Sequence, residues 1–150
     1  MMHGDVAKLQ KRIAELEASN AAAAADVRFL AAMERIGRIA RNARDLDHLL
    51  ETVLDELLVL FSCDRAWLLH PCDPNVAHWG VPKERTSKAW PGVFALGVQI
   101  PMDEGAAAVF SEALELPGAL PFDDTTERQV PEEIGKAFSV RAQMVVAIRP

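Results

Sequence analysis

The chain has 150 residues, half of them hydrophobic and a quarter charged, which is the composition of a globular protein with room for one domain and an appendage. Its formal net charge of -6 and its lack of a lysine and arginine cluster argue against nucleic acid or an anionic membrane as a partner. Small molecules and other proteins are therefore the expected partners.

The first residues contain no apolar core of a signal peptide, and no apolar stretch is long enough to cross a bilayer. The 2 cysteines do not form a disulfide framework, and such a pair suits a compartment that keeps thiols reduced. The sequence therefore predicts a cytoplasmic protein without a membrane segment.

A heptad repeat runs through the N-terminal residues and predicts a parallel two-stranded coiled coil over residues 1–26. Its a and d positions fall on one helical stripe, and a buried amide at Asn20 is satisfied mainly by its twin in an in-register parallel dimer. Arg12 and Glu17 have the spacing of an ion pair between such helices. The alternative is a single solvated helix, which the alanine run favours. The stripe consists of Val6, Leu9, Ile13, Leu16, Asn20, Ala23, Val27 and Leu30.

Residues 27–150 are predicted to form the main domain. No helix stop follows the heptads, so the coil is expected to run directly into the first helix of this domain. Asp45 suits the N-cap of a second helix over residues 46–61, whose broad apolar face predicts that it is largely buried. The stretch "RAWLLH" is then predicted to form a strand, and the proline-containing residues 71–91 a long loop.

The C-terminal half is predicted to alternate strands with helices. The stretch "GVFALGVQIP" is read as a strand, and Asp103 as the N-cap of the helix after it. Residues 117–130 are expected to be a loop, and Pro131 the first helical position before a third strand, "RAQMVVAIR". That strand ends the chain with an uncovered edge, which is typical of a fragment of a larger sheet.

Together these segments resemble a GAF domain, the ligand-binding sensory module found upstream of histidine kinases and other signalling outputs. The resemblance covers residues 27–150 and is most specific in "DLDHLLETVLDELLVLFSCDRAWLLHPCDP", which is similar to the second helix and first strand of GAF domains in sensor kinases. The stretches "WGVPKERTSKAWPG" and "EEIGKAFSVRAQMVVAI" are similar to the following loop and the helix-to-strand return. The implied fold is α+β, a GAF-like sheet with helices packed on one face, and a ligand pocket under the long loops on the other.

The resemblance also implies a function, that of a non-catalytic sensor in a two-component system. Such a module binds a small ligand or relays a signal through the coil of a homodimer to an output kinase or other signalling domain. Compared with the family fold, the resemblance implies that roughly the last two strands are missing from this sequence. The cyclic-nucleotide signature NKFDE and the Cys–His pair of bilin-binding members are absent too, so the ligand and any cofactor stay open. No catalytic motif such as a P-loop, GxSxG or HExxH occurs, and an enzyme is not expected.

The stretch "HPCDPNVAHW" collects side chains that could bind a metal or react as a thiol. Zinc requires about four ligands, and His70 with Cys72 is the one tight pair, so no metal site is predicted. A reactive Cys72 would need a cation to lower its pKa, whereas Asp73 opposes thiolate formation. A Cys-based redox or metal sensor is retained as an alternative, as is a structural dimerisation module with no ligand.

The aromatic residues are the stronger candidates for a ligand site, because ligand pockets favour aromatic walls with few polar anchors. Two tryptophans bracket the predicted long loop. The equally weighted alternative is that these rings pack the loops onto the sheet. The predicted ligand-binding residues are Trp67, Trp79, Arg85, Trp90 and Phe122.

Overall fold

The computed structural model describes residues 2–90, 92 and 97–148, and the chain divides into two compact units, residues 1–64 and 65–150. The described residues form four helices and two small antiparallel sheets, which confirms the α+β class. None of the described helices is both long and apolar enough to cross a membrane. The narrower GAF-like arrangement stays a proposal.

The first unit is a helical hairpin of α1, Met2–Asn42, and α2, Leu46–Phe61. Helix α1 is continuous, as expected, so the predicted division between residues 26 and 27 falls inside it and stays a prediction. The predicted bounds and N-cap of α2 are confirmed, since a side-chain oxygen of Asp45 accepts a hydrogen bond from the backbone N–H of His48 at 2.7 Å. Ser62 ends α2 in the left-handed conformation, with φ 49°.

Helices α1 and α2 contact each other through the C-terminal third of α1. Ala32 there is fully buried, and the Nε of Arg35 donates to Glu56 of α2 at 2.8 Å. The expectation that α2 is largely buried is wrong, because Leu54 is its one buried residue and Leu46 is 67% exposed. One partner helix covers one stripe of a helix, whereas the apolar face of α2 is wider than such a stripe.

The second unit begins with a three-stranded antiparallel sheet in the order β1-β2-β3. Its strands are β1, Arg65–His70, β2, His78–Thr86, and β3, Ile100–Pro101. The expectation of a loop over residues 71–91 is wrong where β2 runs. Proline usually breaks a strand, but Pro82 lies where the register shifts between the Leu68 and His70 pairs, a bulge at which its missing N–H is tolerated.

A second ladder pairs two short strands in antiparallel fashion, β4, Leu120–Phe122, and β5, Gln143–Val145. Strand β4 interrupts the loop that was expected over residues 117–130, so that expectation is wrong there. The predicted strand "RAQMVVAIR" is confirmed in its central residues. Of the predicted strand "GVFALGVQIP", only Ile100–Pro101 form a strand, β3, among the described residues. The expectation is wrong at the described residues 92 and 97–99, and residues 93–96 lie outside the described residues.

Two helices pack within the second unit, α3, Glu104–Glu115, and α4, Glu132–Phe138. The predicted cap of α3 is confirmed, because a side-chain oxygen of Asp103 accepts from the backbone N–H of Ala106 at 2.7 Å. Pro131 lies at the N-cap of α4, one position before the predicted one. The core draws on β2, α3, β4 and α4. It consists of Trp79, Val81, Ala106, Val109, Phe110, Ala113, Leu120, Phe122 and Ile134.

Candidate functional site

A small cavity lies inside the second unit, next to its hydrophobic core. Its volume is about 10 Å³, which is at the lower limit for one water molecule. Pockets for drug-sized ligands measure roughly 300–1,000 Å³. The side chains that line the cavity therefore leave almost no free volume inside it. Its walls are formed by Trp67, Leu69, Trp79, Ala106, Val109, Phe110, Ile134, Gln143 and Val145.

Aromatic rings meet edge to face around this cavity. The ring of Trp79 is 5.7 Å from that of Phe110 at an angle of 80°, and 6.4 Å from that of Phe138 at 71°. The ring of Trp67 is 6.0 Å from that of Phe138 at 86°. Each such contact stabilises by about 0.5–1.5 kcal/mol beyond the area that it buries. The rings therefore hold one another in a defined arrangement.

The indole N–H of Trp79 is the polar group that this packing leaves unsatisfied. Trp79 is 2% exposed, and its Nε1 has no hydrogen-bond partner among the described residues. A buried donor in this state costs about 1–3 kcal/mol. Gln143 supplies the other strongly polar side chain of the cavity wall, and it is half-buried.

A charged pair fixes the edge of the sheet beside the aromatic rings. The Nε of Arg65 lies 3.4 Å from Oε1 of Glu84, and the two side chains are 13% and 2% exposed. Arg65 also donates from Nη1 to the backbone oxygen of Phe138 at 3.0 Å, and its guanidinium lies 5.2 Å from the ring centroid of Trp67. Arg65 thus joins β1 and β2 to the end of α4 and contacts the ring of Trp67.

The structure brings some of the predicted ligand-binding residues together and separates others. Trp67 and Trp79 both line the cavity. Phe122 is buried in the adjacent core without lining the cavity, and Arg85 is half-buried on β2, where it pairs with Ala66. Trp90 is 40% exposed.

Sequence reasoning missed the contribution of α3, α4 and β5 to the cavity. Ala106, Val109 and Phe110 form an apolar stripe of helical period, a pattern that indicates burial but not what the stripe would face. The Arg65–Glu84 pair was also missed. It depends on the register of β1 and β2, which the sequence does not give. In that register Trp67 pairs with Glu84 and Arg65 with Thr86, so that the two charged residues are diagonal neighbours on one face.

The surroundings of the Cys72 thiol disfavour its thiolate form, whereas a reactive cysteine needs a nearby cation or helix N-terminus that favours it. Cys72 is half-buried, and desolvation raises the pKa of its thiol, with a further increase from the carboxylate of Asp73. No three His, Cys, Asp or Glu side chains of the described residues are grouped so that they could hold a metal ion. The geometry therefore gives the Cys-based redox or metal sensor no support.

Alkylation of Cys72 should be slow at neutral pH. Because the raised pKa keeps the thiol protonated, the rate of reaction with iodoacetamide should rise at a higher pH in the folded protein than in urea. Asp73→Asn should move this rise part of the way to lower pH, since desolvation is the larger cause. Mass spectrometry of the Cys72 peptide gives the rate. A folded Cys72 that reacts faster than the unfolded thiol at neutral pH would contradict the raised pKa.

Comparison with known proteins assigns no family to the chain. No protein-family model matches it, and neither a curated protein nor a solved structure gives a significant match. The resemblance to GAF domains therefore rests on the residues of this chain alone.

Proposed function

We propose that the chain is a non-catalytic regulatory module of the GAF type, which dimerises through the N-terminal part of α1 and relays the state of its cavity to an output domain. The observation that carries this proposal is the apolar heptad stripe of α1. The output domain would be a kinase or another signalling domain.

The heptad stripe is exposed along α1. Its six aliphatic side chains are each more than half exposed, and fully burying one side chain of this kind stabilises by about 1.5–3 kcal/mol. Most of the stability of a helix in a protein comes from packing of its apolar face, so an exposed stripe of this length favours a covering partner. The six are Val6, Leu9, Ile13, Leu16, Val27 and Leu30.

Two polar features of the stripe favour a second copy of the chain, in parallel and in register. Asn20 at an a position would face its own twin, which satisfies both amides. Arg12 forms an exposed 3.3 Å contact with Glu15 of its own helix, and in a parallel dimer it also has the spacing to reach Glu17 of the second copy. A partner of different sequence would leave the Asn20 amide buried without its match.

The continuity of α1 supports a relay. The helix runs without a break from the exposed stripe to the part that packs on α2, where Arg35 binds Glu56. Residues 62–64 connect α2 to β1 along the chain. A change in the second unit that shifts α2 would therefore be passed to α1, and a dimer with two arrangements of its helices would convert that shift into a signal.

Sedimentation equilibrium tests the dimer directly. The full chain should be a dimer at micromolar concentration, and Ile13→Glu should raise the dissociation constant by about 100-fold, or roughly 3 kcal/mol, because a carboxylate would be placed in the apolar seam. The matched control is Ala25→Glu, which adds the same charge on the opposite face of α1 and should leave the dimer intact. A wild-type chain that sediments as a monomer would refute the dimeric relay.

A structural dimerisation module without a ligand is the second candidate function, and the size of the cavity favours it. A free volume of about 10 Å³ leaves no room for an organic ligand unless the walls move. Both candidates share the coiled-coil dimer. They differ in whether the cavity has an occupant. The indole N–H of Trp79, which lines the cavity, can report whether it has one.

A further inference from the structure

The unsatisfied N–H of Trp79 sets the chemistry that the cavity can bind. Its donor is buried, its ring lines the cavity, and no described residue accepts from it. Of the described residues that line the cavity, none carries a charge, so a charged occupant would lose its hydration without compensation. A neutral occupant with one acceptor would satisfy Trp79 and bury its remaining surface against the aromatic walls.

We infer that the cavity is a binding site for a neutral acceptor oxygen, to which the indole N–H of Trp79 donates a hydrogen bond. The oxygen belongs either to an internal water or to the carbonyl group of a small apolar molecule. A carbonyl ligand would rest on the proposed regulatory function and deepen it, because it names the class of ligand, whereas an internal water would accord with the dimerisation module without a ligand. Gln143 also lines the cavity, and its amide is a candidate for the second partner that an internal water requires.

The walls of the cavity are arranged so that it can widen for a molecule larger than water. Trp67 and Trp79 lie on the three-stranded sheet, whereas Gln143 and Val145 lie on the two-stranded ladder. No backbone pairing joins the two ladders within the described strands. A shift of β4 and β5 away from β1 would therefore enlarge the cavity without breaking a ladder hydrogen bond.

The alternative partner of the indole N–H is an aromatic ring. Phe110 and Phe138 both meet Trp79 near a right angle, the geometry in which an N–H can point at a ring face. The two arrangements have opposite signatures in proton NMR. A hydrogen bond to oxygen moves the indole proton downfield, and the ring current of a facing aromatic ring moves it upfield.

NMR of the full chain with ¹⁵N-labelled tryptophan tests the inference. The three indole signals are assigned with Trp67→Phe and Trp90→Phe, so the result does not depend on the folding of a Trp79 variant. The probes are cyclopentanone and methylenecyclopentane, which differ by a CH₂ group in place of the carbonyl oxygen. Trp79→Phe, if folded, should lose the response to cyclopentanone and retain the dimer.

Two outcomes support the inference and identify the source of the oxygen. A nuclear Overhauser effect between the Trp79 indole proton and water, with no response to either probe, assigns an internal water. A saturable downfield shift of that proton with cyclopentanone, and none with methylenecyclopentane, assigns a carbonyl ligand.

Three outcomes would overturn the inference. The first is an upfield indole proton that responds to neither water nor probe, the second is an equal response to both probes, and the third is exchange with bulk solvent as fast as that of the exposed Trp90. The dimer is measured on the same sample by sedimentation. An intact dimer without the binding site would contradict the inference alone. A monomer with an intact binding site would contradict the proposed dimeric relay alone.

Discussion

Phe110→Ala should lower the free energy of unfolding of residues 65–150 by about 3–5 kcal/mol, the range for removing a buried aromatic ring. Phe110 is 3% exposed on α3, and its ring meets that of Trp79 edge to face. The substitution removes this contact and leaves a hole beside the cavity. A loss of this size is a large part of the stability of a small domain.

Urea unfolding followed by tryptophan fluorescence measures this effect in the right part of the chain, because Trp67, Trp79 and Trp90 all lie in the second unit. The control is Phe61→Ala, in which a half-exposed ring at the end of α2 is removed, and its effect on the same signal should be below about 1 kcal/mol. An equal loss of stability in both variants would show that the core is not centred on Phe110.

The enlarged cavity of Phe110→Ala offers a second readout. The space left by the Phe110 ring is lined mostly by apolar side chains, and apolar cavities bind small aromatic molecules such as benzene. Saturating benzene should therefore raise the urea midpoint of the variant and leave that of the wild-type chain unchanged, since a ligand stabilises the state that binds it. If benzene raises both midpoints equally, the wild-type cavity is larger than about 10 Å³.

The helices of this chain could be predicted from its sequence because their signals are local. The bounds of α2 follow from a capping aspartate, a run of apolar residues and a stop, all within one stretch of chain. The burial of α2 could not be predicted in this way. The sequence gives the width of its apolar face, but the neighbouring elements in the folded protein determine how much of that face is buried.

Strand β2 could not be predicted because its signals are not local. Gly80 and Pro82 favour a loop when the chain is considered alone. In the folded protein, β1 supplies the pairing, and the register shift near His70 accommodates the proline. The same limit applies to the site. Large aromatic residues indicated a buried cluster, but their sequence does not distinguish the buried Trp79 from the exposed Trp90.

Glu84→Ala should lower the free energy of unfolding of the second unit by about 3–5 kcal/mol, because removing one member of a buried ion pair leaves the other charge uncompensated. The guanidinium of Arg65 is 13% exposed and would remain between β1 and the end of α4 without the carboxylate. Its displacement would also loosen Trp67, over whose ring it lies. The loss should therefore appear in both the urea midpoint and the emission of Trp67.

A double-mutant cycle separates the pair from the packing around it. Arg65→Met and Glu84→Leu together keep similar volumes and remove both charges, so the double variant should be close to the wild-type chain in stability while each single variant is destabilised. This recovery would show that the pair orients β1, β2 and α4 more than it stabilises them. If the two losses simply add, the carboxylate of Glu84 does not compensate Arg65, and the residues around Trp67 are held by packing alone.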